Sequence, residues 1–207
     1  MFGSGEGDAM AAMSSGEYYD AIARGYSRLH GEEQHAKMRV ICEHLTVAPT
    51  DAVLSVGCGP CFVLDVWDPR KGQCREMVGV DPSAELIKQA RRRGVTRAVV
   101  AKAEDMLAHA RYLSLGADDD ATCSPEARAA ALAHFDVVVS LTAIQNFTDV
   151  VAGLENTVAL GRDRFALTYL KRAAKARLID ETIERLLEVD HRIEQQHDII
   201  YIAHKRK

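Results

Sequence analysis

The chain has 207 residues, of which 47% are hydrophobic and 27% charged, and a formal net charge of −4. That is enough for one domain of ordinary size with a substantial core, and its acidic balance carries no clear nucleic-acid signature. Five cysteines, an odd number in a chain this long, argue against a disulfide framework, and no run approaches the ~18 apolar residues of a membrane span.

Residues 1–16 are rich in Gly, Ser, Ala and Met and carry neither Lys nor Arg. They read as a disordered tail rather than a signal or transit peptide, so a cytoplasmic protein is expected. From Glu17 to Leu29, apolar or aromatic residues recur with helical spacing, interrupted at Gly25. A second helix is expected over Glu32–Leu45, with Ala36, Val40, Ile41 and Leu45 on one face and Glu32 and Glu33 in its first turn. Together these form a helical cap over 17–46. The segment from Val47 to Asp51 is a turn. Ala52–Val56 is a short apolar strand closed by Gly57.

From there strands and helices alternate. Glu76–Val80 is a strand ending in Asp81-Pro82. Ser83 is an N-cap for a helix over Ala84–Arg93 that stops at Gly94. Strands follow at Arg97–Ala101, Phe135–Leu141 and Phe165–Leu170, then a helix around Ala173–Val189. Strands at His191–Gln196 and Asp198–His204 close the chain. No room separates these last two for a crossover, so they pair antiparallel. Residues 113–134, acidic in the first half and Ala-rich in the second, read as a surface insertion. The alternation indicates an α/β fold, a doubly wound and mostly parallel sheet, and the Val-rich runs suit strands covered on both faces. The domain is expected to span 17–207. Lys88 with Arg91, Arg92 and Arg93, and the His204–Lys207 end, read as solvated charge.

The run from Val53 to Trp67, VLSVGCGPCFVLDVW, admits two readings. Cys58-Gly59-Pro60-Cys61 alone has the form of a thioredoxin-like redox pair, which needs an exposed, low-pKa thiolate. In context, it is a glycine turn that follows a strand and leads into a helix. Such a turn lets backbone amides approach a nucleotide-like ligand. An acid ending the next strand, Asp81, can accept from both ribose hydroxyls. A dinucleotide-binding oxidoreductase shares this logic, but the third glycine of G-x-G-x-x-G would fall at Phe62. The eight histidines and five cysteines show no zinc-type spacing, so no metal is expected.

The ordered series VLSVGCGPCFVL, VGVDPSAELI, AKAEDM and FDVVVSLTAIQNF resembles the successive motifs of class I S-adenosylmethionine-dependent methyltransferases. The resemblance covers residues 17–207. It implies a seven-stranded sheet with an antiparallel last strand, a Rossmann-like core, and S-adenosylmethionine as cofactor. By position it places Gly57, Cys58 and Gly59 beside the methionine part, and Asp81 with Pro82 at the ribose. Ala103, Glu104 and Asp105 fall in the adenine-side loop, and Ser140 and Leu141 under the cofactor. Three positions depart from the family pattern: Ser55 for an acid, Cys61 for the last loop glycine, and Lys102 for an Asp. A non-catalytic member that binds a partner is therefore one alternative.

An acceptor would approach over Ser140–Asn146, a segment without the Asn-Pro-Pro-Tyr run used for planar nitrogens. Thr142, Gln145 and Asn146 are candidate acceptor contacts; Gln145 and Asn146 serve equally well as caps of the following helix. Tyr18, Tyr19, Tyr26 and His30 of the cap are further candidates, or simply pack it onto the sheet. No catalytic acid–base pair is evident. The favoured acceptor is the O, N or S nucleophile of a small molecule, with RNA or protein as alternatives. A homodimer stays open.

Overall fold

The structure of the protein, a computed structural model, describes residues 14–116 and 134–206. The expected tail up to residue 13, and the 117–133 stretch of the expected insertion with Cys123, lie outside the described residues.

The chain enters through a single helix, α1, Ser15–His44. Two helices meeting near residue 30 were expected, and the structure joins them. Ser14 and Glu17 form a reciprocal capping box at the start. The helix runs straight through Gly25, where an interruption was expected, and through Gly31. A Cβ at Gly31 would lie 3.6 Å from the Phe62 ring, so glycine there is a contact surface rather than a stop. The inner face carries Met38 and Ile41 into the core. Glu32, Glu33 and His30 consequently sit in the middle of a helix and not at an end.

The described strands are β1 Ala52–Val56, β2 Glu76–Asp81, β3 Arg97–Val100, β4 Phe135–Ser140, β5 Gly161–Leu170, β6 Leu187–Glu194 and β7 Asp198–Lys205. They form one seven-stranded sheet in the order β3-β2-β1-β4-β5-β7-β6. β1 to β5 pair parallel, while β7 is antiparallel to both β5 and β6. The closing strand thus inserts between β5 and β6. β6 begins earlier than the expected His191. It takes over residues 187–189 from the expected end of the preceding helix, because Leu187–Val189 pair with β7.

Side-chain alternation along the buried strands splits the core into two layers. Val53, Val137, Val139 and Ile200 face the layer under α1 and α2, Ala84–Arg93. Leu54, Val138, Phe165 and Tyr201 face the other layer. It is covered by α3 Ala110–Leu115, α4 Val150–Leu160 and α5 Ala176–Leu186. Ser83 caps α2 and Gly94 ends it, as the sequence indicates.

After β1 the chain does not turn into an α-helix. It makes a short 3-10 turn, Phe62–Asp65, entered through Cys61 at φ 63°, ψ 70°. Arg93 causes part of this. Its guanidinium donates to the Pro60 and Cys61 carbonyls at 2.9 and 3.1 Å and pairs with Asp65. Arg91 likewise donates to the Ala98 carbonyl. Arg93 thus holds the loop after β1 and Arg91 the edge strand β3, while Lys88, Arg91 and Arg92 remain exposed as a solvated face would.

Cys61 therefore occupies the left-handed region that favours glycine while its side chain is buried. Cys61→Gly and Cys61→Ala lose the same sulfur packing, but only alanine keeps the backbone strain. Chemical denaturation should find the glycine variant more stable than the alanine variant by about 1 kcal/mol, the reverse of the usual order.

Candidate active-site cleft

The sheet order reverses between β1 and β4, so the loops leaving their carboxyl ends diverge and open a crevice. A cleft of about 590 Å³, open to solvent, lies there. Gly57, Gly59, Asp81 and Pro82 line one side, with Leu86 of α2. Residues 101–104, after β3, form a second wall. Leu141, Thr142 and Ala143, then Asn146, Phe147 and Thr148, form the third. Tyr19 and Tyr26 of α1 close over the top.

Asp81 organises the floor. Its carboxylate accepts from the Gly59 N–H and from the Ser83 N–H, both at 2.8 Å. Burial pushes its pKa up from 3.8 to about 6, against the pull of those two N–H groups and with a further push from Asp20. Each carboxylate oxygen retains acceptor capacity beyond its one backbone partner. Gly57 and Gly59 adopt φ +64° and +54°. A Cβ on Gly57 would approach that of Ala143 to 2.2 Å, so the glycine turn and the β4 loop touch backbone to side chain.

Thr142 is the second strained point, a β-branched residue at φ 53°. Such a conformation costs on the order of 1–3 kcal/mol and persists only where its surroundings fix it. Its N–H donates to Thr168 Oγ1 at 2.7 Å, and its carbonyl accepts from Gln145 Nε2 at 2.7 Å.

The roof is tied to both rims. On one side Asp20 Oδ1 accepts from Ser83 Oγ at 2.5 Å and from the Glu85 N–H at 3.0 Å. On the other, Asn146 Nδ2 donates to the Tyr19 hydroxyl at 2.9 Å. Tyr19 and Tyr26, seven apart on the helix, meet edge to face at 5.8 Å, and Tyr26 stacks towards Phe62. Burial raises the pKa of both phenols, so each stays a neutral donor at ordinary pH.

Of the candidate residues, Gly57, Gly59, Asp81, Pro82, Ala103, Glu104 and Leu141 line this cleft, as do Tyr26, Thr142 and Asn146. Cys58 instead packs into the core layer under α1 and α2. Asp105 is exposed outside the lining, and Ser140 is buried behind it with Oγ unpartnered. Tyr18 and His30 flank the roof aromatics without lining the cleft. Gln145 braces Thr142 from behind, and Asp149, not Gln145 or Asn146, caps α4. Burial pushes the Cys61 thiol up to about 12 and raises Cys58 well above its ordinary value, which removes the thiolate that a redox pair requires. Sequence reasoning did not single out Leu86, Ala101, Ala143, Phe147 or Thr148. Ala143 lies inside the Ser140–Asn146 stretch, and Phe147 and Thr148 directly follow it, so extending the stretch by two residues would have found them.

Residues 54–160, just over half of the chain, match the family model described as a methyltransferase domain. The chain belongs to the class I S-adenosylmethionine-dependent methyltransferases. S-adenosylmethionine is the cofactor of this methyltransferase. Among solved structures, a chain from the complex of the Haloferax volcanii Trm112 methyltransferase activator with a methyltransferase superposes at a TM-score of 0.65 and 14% identity, covering 91% of this chain and 98% of that one. Magnesium protoporphyrin IX methyltransferase from Synechocystis PCC 6803, with bound SAH, gives 0.58 and 10%, covering 92% and 98%. The [4+2]-cyclase SpnF gives 0.66 and 11%, covering 92% and 94%. At these identities the likeness is one of fold. No curated protein matches the sequence.

The residues present fit a nucleoside cofactor. A carboxylate with spare lone pairs, a glycine backbone bare of side chains and apolar walls at Leu86 and Phe147 supply acceptor, close approach and a surface for a base. Among the described residues no group of three or more His, Cys, Asp or Glu is placed to hold a metal, and no helix is long and apolar enough to cross a membrane.

Gly57→Ala and Gly72→Ala both place a side chain at positive φ, but Gly72 has open space around it. Gly72→Ala should cost about 1 kcal/mol in urea unfolding. Gly57→Ala should cost at least about 2 kcal/mol, because Ala143 must also move.

Proposed function

We propose that this methyltransferase acts on an O, N or S nucleophile of a small molecule, held between the β4 loop and the tyrosines of α1. The observation that carries the reading is the roofed cleft. Tyr19 and Asn146 meet across its mouth, which leaves a bounded space rather than an open face for a macromolecule. The four free cysteines among the described residues suit a reducing, cytoplasmic setting.

In this reading Gly57 and Gly59 pass beside the amino-acid part of the cofactor, and Asp81 accepts from its ribose hydroxyls. Residues 102–104 and Leu141 flank the base. Lys102 is exposed, and the Glu104 carboxylate already accepts from the Asp149 N–H at 2.9 Å, so backbone and apolar contacts dominate on this side. When bound, the cofactor supplies a sulfonium-activated methyl group that passes to a lone pair of the acceptor as its bond to sulfur breaks. The chain's own contribution is position and exclusion of water. Tyr19 and Tyr26, neutral and partly buried, donate to or pack against the acceptor. Thr142 and Asn146 orient it from the opposite wall.

Two measurements test this. Incubation with methyl-labelled S-adenosylmethionine and a cell extract, followed by size separation, should place label in the low-mass fraction. Label confined to RNA or protein would overturn the small-molecule reading. Titration with S-adenosylhomocysteine should show affinity that is constant above pH 7 and falls as pH drops through about 6, where Asp81 gains a proton and loses an acceptor. At pH 5 binding should be about tenfold weaker than at pH 7, and Asp81→Asn should abolish that pH dependence.

A further inference from the structure

We propose that Lys37, which does not line the cleft, is a positioning residue that shapes its β4 wall by holding Thr142 in the left-handed conformation. The proposal rests on the cleft being the cofactor site.

Lys37 lies in the middle of α1 with 1% of its side chain exposed. A buried ammonium needs a partner for each of its three N–H groups, and here each has one. It donates to Glu33 Oε1 at 2.7 Å, one turn earlier on the helix, and to Thr142 Oγ1 at 2.5 Å. The third partner is Asp198 Oδ1 at 3.0 Å, at the start of β7 and equally buried. Thr142 Oγ1 in turn donates to Asp198 Oδ1 at 3.3 Å. One ammonium therefore fastens the roof helix, the loop after β4 and the closing strand at a single point.

The consequence falls on the cleft. With the Thr168 and Gln145 contacts, this leaves every polar atom of Thr142 in a hydrogen bond. Those bonds offset a backbone conformation that a β-branched residue would otherwise leave. Leu141 and Ala143, on either side, line the cleft, and Ala143 abuts Gly57. Releasing Thr142 lets both neighbours shift against the glycine turn. A buried ion pair is weak evidence of stabilisation, since an apolar pair of similar size often serves the fold as well. What an apolar pair cannot supply is the directed bond to Thr142 Oγ1.

Removing Lys37 alone would strand the Asp198 charge, so the test uses Lys37→Met with Asp198→Asn. S-adenosylhomocysteine affinity is measured by calorimetry, melting temperature in parallel, and the residue 142 backbone by crystallography. The expected result is a folded protein that binds about tenfold or more weakly, with residue 142 out of the left-handed region. Adding Thr142→Gly should restore most of the affinity, because glycine adopts the conformation unaided. A purely structural role for Lys37 would not respond to glycine at 142. Unchanged affinity in the paired variant, residue 142 still left-handed, or no recovery with Thr142→Gly would each overturn the proposal. Failure of the unmodified protein to bind would instead sink the cofactor reading, and the crystallographic arm would still decide whether Lys37 holds Thr142. If the paired variant does not fold, Thr142→Val in the otherwise unmodified chain removes the same bond from its other end while Lys37 keeps Glu33 and Asp198; affinity should again fall about tenfold, and unchanged affinity would overturn the proposal.

Discussion

The carboxylate of Asp81 is bound by two backbone amides from different segments, and the geometry of the cleft follows from that. Gly59 N–H fixes the turn leaving β1, and Ser83 N–H fixes the entry to α2. Both elements are thereby set by one side chain at the end of β2. A buried carboxylate is costly to keep charged, which is why its pKa rises to about 6 despite two hydrogen bonds. The fold sustains this cost at a residue that faces the crevice which the sheet order creates between β1 and β4.

The opposite wall depends on a different charge. There the fastening point is the Lys37 ammonium, and the strained residue is Thr142 rather than a glycine. The two walls meet where Ala143 faces Gly57. α1 spans both, tied through Asp20 to the β2 side and through Tyr19 to the β4 side. The cleft is thus bounded by ties at Asp81, Lys37, Asp20 and Tyr19, each joining segments far apart in sequence. Its inner surface is mostly backbone, apolar groups and neutral hydroxyls, which suits a reaction that needs placement more than proton transfer.

Much of the frame was legible in the sequence. The apolar runs of β2 and β4 are distinct enough, and the caps at Ser83 and Gly94 specific enough, to give strand and helix limits within a residue or two. The place of Asp81 on the cleft was legible because strand, glycine turn and acid follow in fixed order. α1 was read as two helices because Gly25 is local punctuation, while the tolerance of a helical glycine depends on contacts, such as that of Gly31 with Phe62, that spacing does not reveal. The 3-10 turn after Cys61 depends on Arg93, more than thirty residues onward. Lys37 was invisible for the same reason. A lysine on a helix reads as solvated, and its burial follows from Thr142 and Asp198, 105 and 161 positions away.

On the reading proposed above, the crevice between β1 and β4 holds S-adenosylmethionine with its ribose on Asp81. A crystal structure of the complex with S-adenosylhomocysteine tests it most directly. Both ribose hydroxyls should lie within hydrogen-bonding distance of the Asp81 carboxylate, with the homocysteine moiety against Gly57 and Gly59. Ligand bound with its ribose away from Asp81, or no ligand in the cleft at millimolar concentration, would contradict it.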